Sequence, residues 1–289
     1  MGMHTRWVIV ALVCALGMHA YAAEVASGDW WPERLLASFV TGKAIQDFPE
    51  QMSAVDAYAV QREYVALLEQ SQGDVVGYKA AITGPKLREM IGAKEPVRGV
   101  LLAKMLVPSG SRIEADSGVA PFVEGDFVVR VGSRAINRAE NPMEVLAGLD
   151  AVLPFIEVVD LLRTMEGGGL ASLIAANAGA HKGVTGTPIP IEATEEWMER
   201  LRGVRVKLYE DDRLVSEGDS RQLYGHPVDA VIWLRNSLAA DGISLEPGDL
   251  LSLGSVAGSR EPPKAGTRLR AVYEGLIDGE TVEVVAILE

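Results

Sequence analysis

The irregular order of predicted strands and helices is the feature that most constrains this fold. Strand patterns outnumber helical patterns along the chain, and the two do not alternate regularly. Neighbouring parallel strands need a helical crossover, so this order favours an α+β fold with a mostly antiparallel or mixed sheet over a doubly wound one. Helices are predicted at 53–70, 85–91, 142–152, 170–179 and 227–238, and strands at 75–82, 121–131, 155–162 and 204–209, with strand and turn from 250 to 288.

The chain is long and apolar enough to bury a core of its own. It has 289 residues, 48% of them hydrophobic, and no Pro/Ser-rich linker or internal repeat divides it. The sequence therefore predicts one main domain, 93–289, that carries the functional site. A helical and capping region, 23–92, precedes it.

Residues 1–22 have the pattern of a secretory signal peptide. Arg6 precedes an apolar run, 7–17, and Ala20-Tyr21-Ala22 provides a small-x-small cleavage signal. The alternative is a retained transmembrane anchor, but the run is shorter than the roughly 20 apolar residues that span a bilayer. We therefore predict cleavage after Ala22, a periplasmic or secreted protein, and no stable membrane anchor.

Cysteine content and charge exclude several function classes. Cys14, the only cysteine, lies in the signal segment, so the mature chain would lack disulfides, thiolate metal sites and a cysteine nucleophile. The formal net charge of -13 disfavours nonspecific binding to nucleic acid or anionic lipid, because that binding depends on clustered Lys and Arg. A small molecule is therefore the expected partner.

Three carboxylates are candidate metal ligands. Glu124 and Asp126 are two residues apart on a predicted strand and so point to the same face, which suits either a solvated edge strand or a bound cation. Glu157 lies in an apolar strand, where a carboxylate is costly to bury unless it pairs with Lys or Arg or binds a metal. Without a cysteine ligand, this set would select an oxygen-preferring ion such as Mg²⁺ or Mn²⁺.

A set of short motifs occurs in a fixed order along the chain. They are Gly77-Tyr78-Lys79, Glu124-x-Asp126, Phe155-Ile156-Glu157-Val158-Val159, Ala176-Asn177-Ala178, and Leu223-Tyr224-Gly225-His226-Pro227 followed by Ala230-Val231-Ile232-Trp233-Leu234. In this order and spacing they resemble the fumarylacetoacetate hydrolase family. The similarity is greatest to its branch of 2-oxopent-4-enoate hydratases and 4-oxalocrotonate decarboxylases, and it runs from about residue 55 to the C-terminus.

The resemblance implies a mixed β-roll with flanking helices, and it assigns roles to single residues. Glu124, Asp126 and Glu157 would hold a divalent cation, Mg²⁺ or Mn²⁺, within the predicted domain 93–289. Lys79 would be catalytic, holding the substrate carboxylate or moving a proton, although without the family it would be an ordinary surface lysine. His226, before a proline that opens a helix, is expected to be a structural cap.

The resemblance also implies substrate contacts, and the chain departs from it at two of the relevant positions. Asn177 matches an asparagine near the metal site, with a cap or turn as its alternative role. Val97 stands where hydratases usually have an acid, and Leu253 stands where the family tends to have a threonine. Ser252 or Ser255 would then hold the substrate carboxylate, depending on which of them faces the site.

Two functional hypotheses follow from these residues. The first is a divalent-metal-dependent lyase of aromatic catabolism that hydrates, or less readily decarboxylates, a small 2-hydroxy-2,4-dienoate or its 2-oxo tautomer. Cleavage of a carbon–carbon bond in an acylpyruvate is a related alternative. The second is an exported protein that binds metal and oxo acid without turnover. Family members commonly assemble, so a homo-oligomer is expected.

Overall fold

The computed structural model describes residues 30–49, 51–163, 169–259 and 261–289. The predicted signal segment, 1–22, lies outside them. Within these ranges, no helix is both long enough and apolar enough to cross a membrane. The helices are α1 (Trp31–Thr41), α2 (Ala54–Gln72), α3 (Pro85–Ile91), α4 (Pro142–Ala147), α5 (Leu170–Ala175), α6 (Glu195–Arg202) and α7 (Pro227–Ala240).

The strands of the described ranges form two mixed sheets. The strands are β1 (Val75–Ala81), β2 (Val97–Leu102), β3 (Leu106–Pro108), β4 (Arg112–Ile113), β5 (Phe122–Val131), β6 (Leu149–Val159), β7 (Ala180–Thr185), β8 (Ile189–Pro190), β9 (Arg205–Glu210), β10 (Arg213–Asp219), β11 (Leu250–Ser259), β12 (Arg268–Ile277) and β13 (Glu280–Leu288). The larger sheet has the order β2-β1-β11-β5-β6-β7-β3, with β8 beside β6, and the smaller has the order β10-β9-β12-β13-β4. The pairs β1–β11, β3–β7 and β4–β13 are parallel, and the others are antiparallel.

This architecture confirms the predicted α+β fold with mixed sheets and flanking helices. The predicted boundary at residue 92, however, cuts through the larger sheet. Strand β1 lies N-terminal to that boundary, yet it pairs with β2 on one side and with β11 on the other. It therefore belongs to the main domain, because its backbone groups are satisfied only within that sheet.

The main core lies between the two sheets. Val123 and Phe127 of β5 pack there with Val206 of β9 and Tyr273 of β12. Gly125 allows this close approach, since a Cβ atom at that position would lie 3.0 Å from a Val206 methyl carbon. The face of β5 that carries Phe127 is thereby fixed inward, and the alternate residues of β5 face the other way.

Local sequence explains most helix boundaries and one error. Ser53 caps α2 by accepting a hydrogen bond from the Asp56 N–H at 3.2 Å. The helix predicted at 142–152 is wrong beyond residue 147, because Leu149 and Val152 belong to β6. β6 is buried on both faces, so its apolar run shows no strand alternation and its first residues fit helical spacing equally well.

Candidate active site

The three predicted metal ligands lie on the paired strands β5 and β6. Glu124 and Glu157 are direct cross-strand partners, and Asp126 is opposite Phe155. Opposite residues of an antiparallel pair share a face, as do residues two apart on one strand. The three carboxylates therefore lie on the same side of the sheet, away from the core face that carries Phe127. We call them the acidic cluster.

A β-bulge in β11 brings two serines to the acidic cluster. Ser252 pairs with Val128 of β5 and Ser255 pairs with Asp126, so the chain has one extra residue on the β11 side. Without that residue, side chains three positions apart would point to opposite faces. Ser252 donates a hydrogen bond to Asp126 Oδ2. The Ser255 hydroxyl donates to the Ala257 carbonyl at 3.3 Å and, being near Glu124, acts to lower the pKa of that acid. The bulge thus places one serine hydroxyl near each carboxylate of β5.

Lys79 supplies an ammonium group to the acidic cluster. It lies on β1 beside Ser252 of β11, and its Nζ is 2.5 Å from Glu157 Oε1, with both side chains almost fully buried. An ion pair with a lysine or arginine was one of the two roles expected for Glu157. Lys79 is that partner, and it is not a surface lysine. A buried pair of this kind is stable only while both partners are present.

Burial and mutual repulsion raise the pKa values of two of the acids. Burial, and then the charge of Glu157, raise the pKa of Glu124 to about 8, and Lys79 opposes the shift. The same two causes raise the pKa of Asp126, against hydrogen bonds from a serine hydroxyl and a backbone N–H. One ammonium facing three carboxylates leaves two negative charges uncompensated. Protons or a cation would stabilise such a site.

The donor set fits a divalent cation by its chemistry. All of its donors are carboxylate oxygens, which ions such as Mg²⁺ and Mn²⁺ prefer. The side chains are not gathered around one point: across the described ranges, no three His, Cys, Asp or Glu residues are arranged as metal ligands. Glu157 is instead turned to Lys79, and Asp126 to Ser252.

A cavity of about 890 Å³ opens onto the acidic cluster. This volume suits a small organic ligand. Asp126 and Ser252 are fully buried and do not line the cavity, so a ligand would contact only part of the cluster directly. The predicted site residues that line it are Lys79, Glu124, Glu157 and Ser255.

Asn177, a predicted substrate ligand, lies behind the cavity wall and is used within the fold. It is fully buried and does not line the cavity. Its Oδ1 accepts from the Val100 N–H at 2.7 Å, and its Nδ2 donates to the Val100 carbonyl at 2.9 Å. A side-chain amide can donate and accept a hydrogen bond, as a backbone peptide group does. Asn177 therefore pairs with the edge strand β2 in the way that a neighbouring strand would.

The two positions that depart from the family pattern are both buried. Val97 packs in an apolar cluster and does not line the cavity. Leu253 is in the main core.

A threonine that was not predicted from sequence also lines the cavity. Thr83 does so, and it lies close to Gly254, which has φ +104° and whose added Cβ would be 2.4 Å from the threonine hydroxyl. In the sequence, only its position between Lys79 and the turn before α3 indicates that it is near the site.

A tyrosine of the smaller sheet hydrogen-bonds to both β5 and β6. Tyr273 is fully buried. Its hydroxyl accepts from the Phe155 N–H at 2.9 Å and donates to the Asp126 carbonyl. Since Asp126 and Phe155 are cross-strand partners, this hydroxyl bridges the two strands at the position of an acid. Sequence reasoning missed it, because Tyr273 is 147 residues from Asp126.

His226 has the structural role expected of it. Its Nδ1 accepts from the Val228 N–H at 3.0 Å, and its Nε2 lies 3.0 Å from the Met198 carbonyl oxygen. Both ring nitrogens are thus used to fix the start of α7, and His226 does not line the cavity. It is not available there as a base.

Most of the chain matches a single family model. Residues 58–287 match the model described as Fumarylacetoacetate (FAA) hydrolase C-terminal. The chain belongs to the fumarylacetoacetate hydrolase family. The resemblance read from the motifs is confirmed, and the mixed sheets with flanking helices are those of a fumarylacetoacetate hydrolase fold.

Relatives of this chain within the fumarylacetoacetate hydrolase family include hydratases and decarboxylases. It is 26% identical over 264 residues to a 4-oxalocrotonate decarboxylase of Pseudomonas putida, covering 91% of this chain and 94% of the relative. It is 31% identical over 221 residues to a 2-oxo-hept-4-ene-1,7-dioate hydratase of Escherichia coli, covering 72% and 79%. The structure of 4-oxalocrotonate decarboxylase from Pseudomonas putida G7, complexed with magnesium and adipate, superposes with a TM-score of 0.78 at 24% identity, covering 90% and 96%.

Proposed function

We propose that this protein is an exported, divalent-cation-dependent lyase that hydrates a small 2-hydroxy-2,4-dienoate or its 2-oxo tautomer. The observation that carries the proposal is the acidic cluster at the cavity, where a single ammonium faces three carboxylates. When all three carboxylates are ionised, two negative charges remain beyond the one that Lys79 balances, and a divalent cation would neutralise them. The hydratase relative and the decarboxylase solved with magnesium support the same chemistry.

Each residue of the site has a role in this proposal. Glu124, Asp126 and Glu157 would hold the cation, which when bound polarises the 1-carboxylate and 2-oxo oxygens of the substrate. Lys79 either holds the substrate carboxylate or carries the proton that moves along the dienol. The Ser255 hydroxyl lines the cavity and supplies a further hydrogen-bond donor to a substrate oxygen.

The decay of the ultraviolet absorbance of 2-hydroxypenta-2,4-dienoate tests the hydratase assignment. With Mg²⁺ present, we expect decay to 4-hydroxy-2-oxopentanoate, and excess chelator should stop it. Pyruvate binding, measured by calorimetry with and without Mg²⁺, is the control for an intact site. Binding without decay of this or any longer dienoate would contradict a hydratase, and it would identify a binding protein if decarboxylation and acylpyruvate cleavage were also absent.

Decarboxylation is the second candidate, and the relative that covers 91% of the chain favours it. The same preparation is assayed for release of CO₂ from 4-oxalocrotonate, again with and without chelator. Faster chelator-sensitive CO₂ release than dienoate decay would assign the decarboxylase instead. Cleavage of an acylpyruvate to pyruvate is measured alongside as the hydrolase alternative.

Export and assembly belong to the same proposal. The pattern of residues 1–22 supports export, and we expect the periplasmic or secreted form to begin at Ala23. Mass spectrometry of the fractionated protein measures this, and an uncleaved cytoplasmic form would contradict it. We also propose a homo-oligomer, as is common in the family. Light scattering at several concentrations would refute it by returning the mass of one chain.

A further inference from the structure

One side of the cavity is lined by apolar side chains that follow Lys79 along the chain. Leu87 and Ile91 of α3 and Leu173 of α5 are half-buried, and they pack against a buried apolar cluster that includes Ile82. None of these side chains can pair with a charge. We call this surface the apolar wall, and it consists of Ile82, Leu87, Met90, Ile91 and Leu173.

Ile82 marks the start of the apolar wall with a strained backbone. Its φ is +54°, in the left-handed region that β-branched residues avoid. It is nevertheless 8% exposed and lines the cavity three residues after Lys79. Strain of this kind persists only where the surrounding structure imposes it, and it is concentrated at functional sites.

The charged groups on the other sides of the cavity disfavour a second ligand carboxylate. Arg221 donates to Asp219 from Nε at 2.8 Å and from Nη2 at 2.9 Å, so its charge is already matched. Glu217 adds a negative charge there. Arg163 has an interaction partner of its own, and Lys86 is exposed to solvent. The cations that line the cavity are thus either partnered, as Arg163 and Arg221 are, or solvated, as Lys86 is. A second carboxylate placed against the apolar wall would lose its hydration to side chains that cannot pair with it.

The size of the cavity leaves room beyond the acidic cluster. Small-molecule pockets span about 300–1,000 Å³, and this cavity, at about 890 Å³, is near the upper end. A five-carbon acid held by the cluster would fill only part of that volume. The remaining part includes the apolar wall, and apolar surface of this kind favours ligands that bury a hydrocarbon group against it.

We infer that the substrate ends in an uncharged alkyl or aryl group, and that the apolar wall selects it over a substrate that ends in a second carboxylate. This inference rests on the proposed function, because it requires the 1-carboxylate and 2-oxo end to lie at the acidic cluster. Each CH₂ group buried against the wall should tighten binding roughly fourfold.

Calorimetry in Mg²⁺ with three oxo acids tests the inference. The probes are pyruvate, 2-oxoadipate, and 6-methyl-2-oxoheptanoate, in which an isopropyl group replaces the terminal carboxylate of 2-oxoadipate. The isopropyl acid should bind at least about tenfold tighter than either other acid. Equal or tighter binding of 2-oxoadipate would overturn the inference. If none of the three shows Mg²⁺-dependent binding, the proposed function itself fails, and the inference fails with it.

A lysine in the apolar wall provides the matched variant. Leu87→Lys keeps an apolar stem over the same surface and adds an ammonium that can pair with a carboxylate. The preference for the isopropyl acid should fall at least about tenfold. Leu214→Lys, on β10, outside the cavity and 45% exposed, is the control and should retain it.

Melting curves of both lysine variants are measured first, to show whether each variant folds. An unchanged preference in folded Leu87→Lys would overturn the assignment of the apolar wall. If that variant does not fold, the comparison of the two acids in the unaltered protein still decides whether the tail is selected.

Discussion

The acidic cluster and the apolar wall contact the same cavity but are stabilised in opposite ways. The cluster lies on central strands of the larger sheet, where burial and then the repulsion of Glu157 raise the pKa of Glu124. The wall consists of Ile82 and of side chains on two short helices, α3 and α5, and its members Leu87, Ile91 and Leu173 are half-buried and pack on an apolar cluster. The surrounding sheet therefore holds the acids together against their repulsion, whereas the wall is stabilised by its own burial.

This difference separates the effects that substitutions should have. A change in the acidic cluster alters charge balance at a fixed sheet position, so it should affect cation binding more than folding. A change in the apolar wall removes packing, so it should affect stability and tail preference while leaving the cation alone. The contrast shows that sheet register fixes the positions of the acidic cluster, whereas helix packing fixes the positions of the apolar wall.

The pH dependence of Mg²⁺ affinity should be the largest effect. The pKa of Glu124 is about 8 in the fold against an ordinary value of 4.5, so between these values the folded chain keeps a proton that the unfolded chain has lost. Raising the pH through this window therefore destabilises the metal-free protein, and bound Mg²⁺ must displace the proton. Calorimetry should show apparent affinity rising up to roughly tenfold per pH unit from about pH 5 to about pH 8.

Glu124→Gln is the control for this titration. The melting temperature of the metal-free protein should fall from about pH 5 to about pH 8 in the unaltered chain. It should fall less steeply in the variant, where Asp126 is the acid of the cluster with a raised pKa that still titrates. Equal slopes would show that Glu124 does not carry the effect.

Glu157→Gln should come next in size. The amide keeps an acceptor for Lys79 but loses the charge, so Mg²⁺ affinity should fall at least about a hundredfold while the chain stays folded. Calorimetry measures the affinity and circular dichroism the fold. Glu199→Gln, at an exposed position of α6, is the matched control and should bind Mg²⁺ normally. Unchanged affinity in Glu157→Gln would refute the assigned ligands.

Tyr273→Phe should have a smaller effect that is shared between folding and the site. It removes the hydroxyl between Phe155 and Asp126, so the free energy of unfolding in denaturant should fall by about 1–3 kcal/mol. Mg²⁺ affinity should weaken as well, because the bridge fixes the backbone of Asp126. Tyr209→Phe, whose ring contact with Arg270 is kept, is the control, and equal losses in both variants would contradict a positioning role.

Leu87→Ala should have the smallest effect. Its side chain is half-buried, so the free energy of unfolding should fall by only about 1 kcal/mol, and Mg²⁺ affinity should not change. Chemical denaturation and calorimetry measure the two quantities. A loss of Mg²⁺ affinity comparable to that of Glu157→Gln would show that the two regions are not independent.

Local periodicity was sufficient for one part of the acidic cluster, and the family resemblance joined Glu157 to it. Two residues apart on a strand always share a face, so the common orientation of Glu124 and Asp126 followed from sequence. The apolar setting of Glu157 marked a buried, partnered carboxylate. Helix-cap chemistry was equally local, and it identified His226 as structural.

The remaining site residues depend on contacts that no local pattern encodes. Ser252 and Ser255 share a face only because β11 contains a bulge, which forms in response to its neighbour β5. Asn177 carries its motif, but its amide is used by the edge strand β2. Tyr273 reaches the site from the smaller sheet, and Thr83 is close to Lys79 in sequence but lies against Gly254 of β11. The packing of the whole fold was therefore required to reveal both.

The position of β11 between β1 and β5 also governs when the site can form during synthesis. The strand begins at Leu250 of 289 residues, so most of the chain has been translated before it is available. Until then β1 and β5 each present an unpaired edge, which invites pairing between chains. Such long-range pairing is slow to form. A chain terminated before Leu250 should therefore aggregate, and would not survive as a weakened form of the protein.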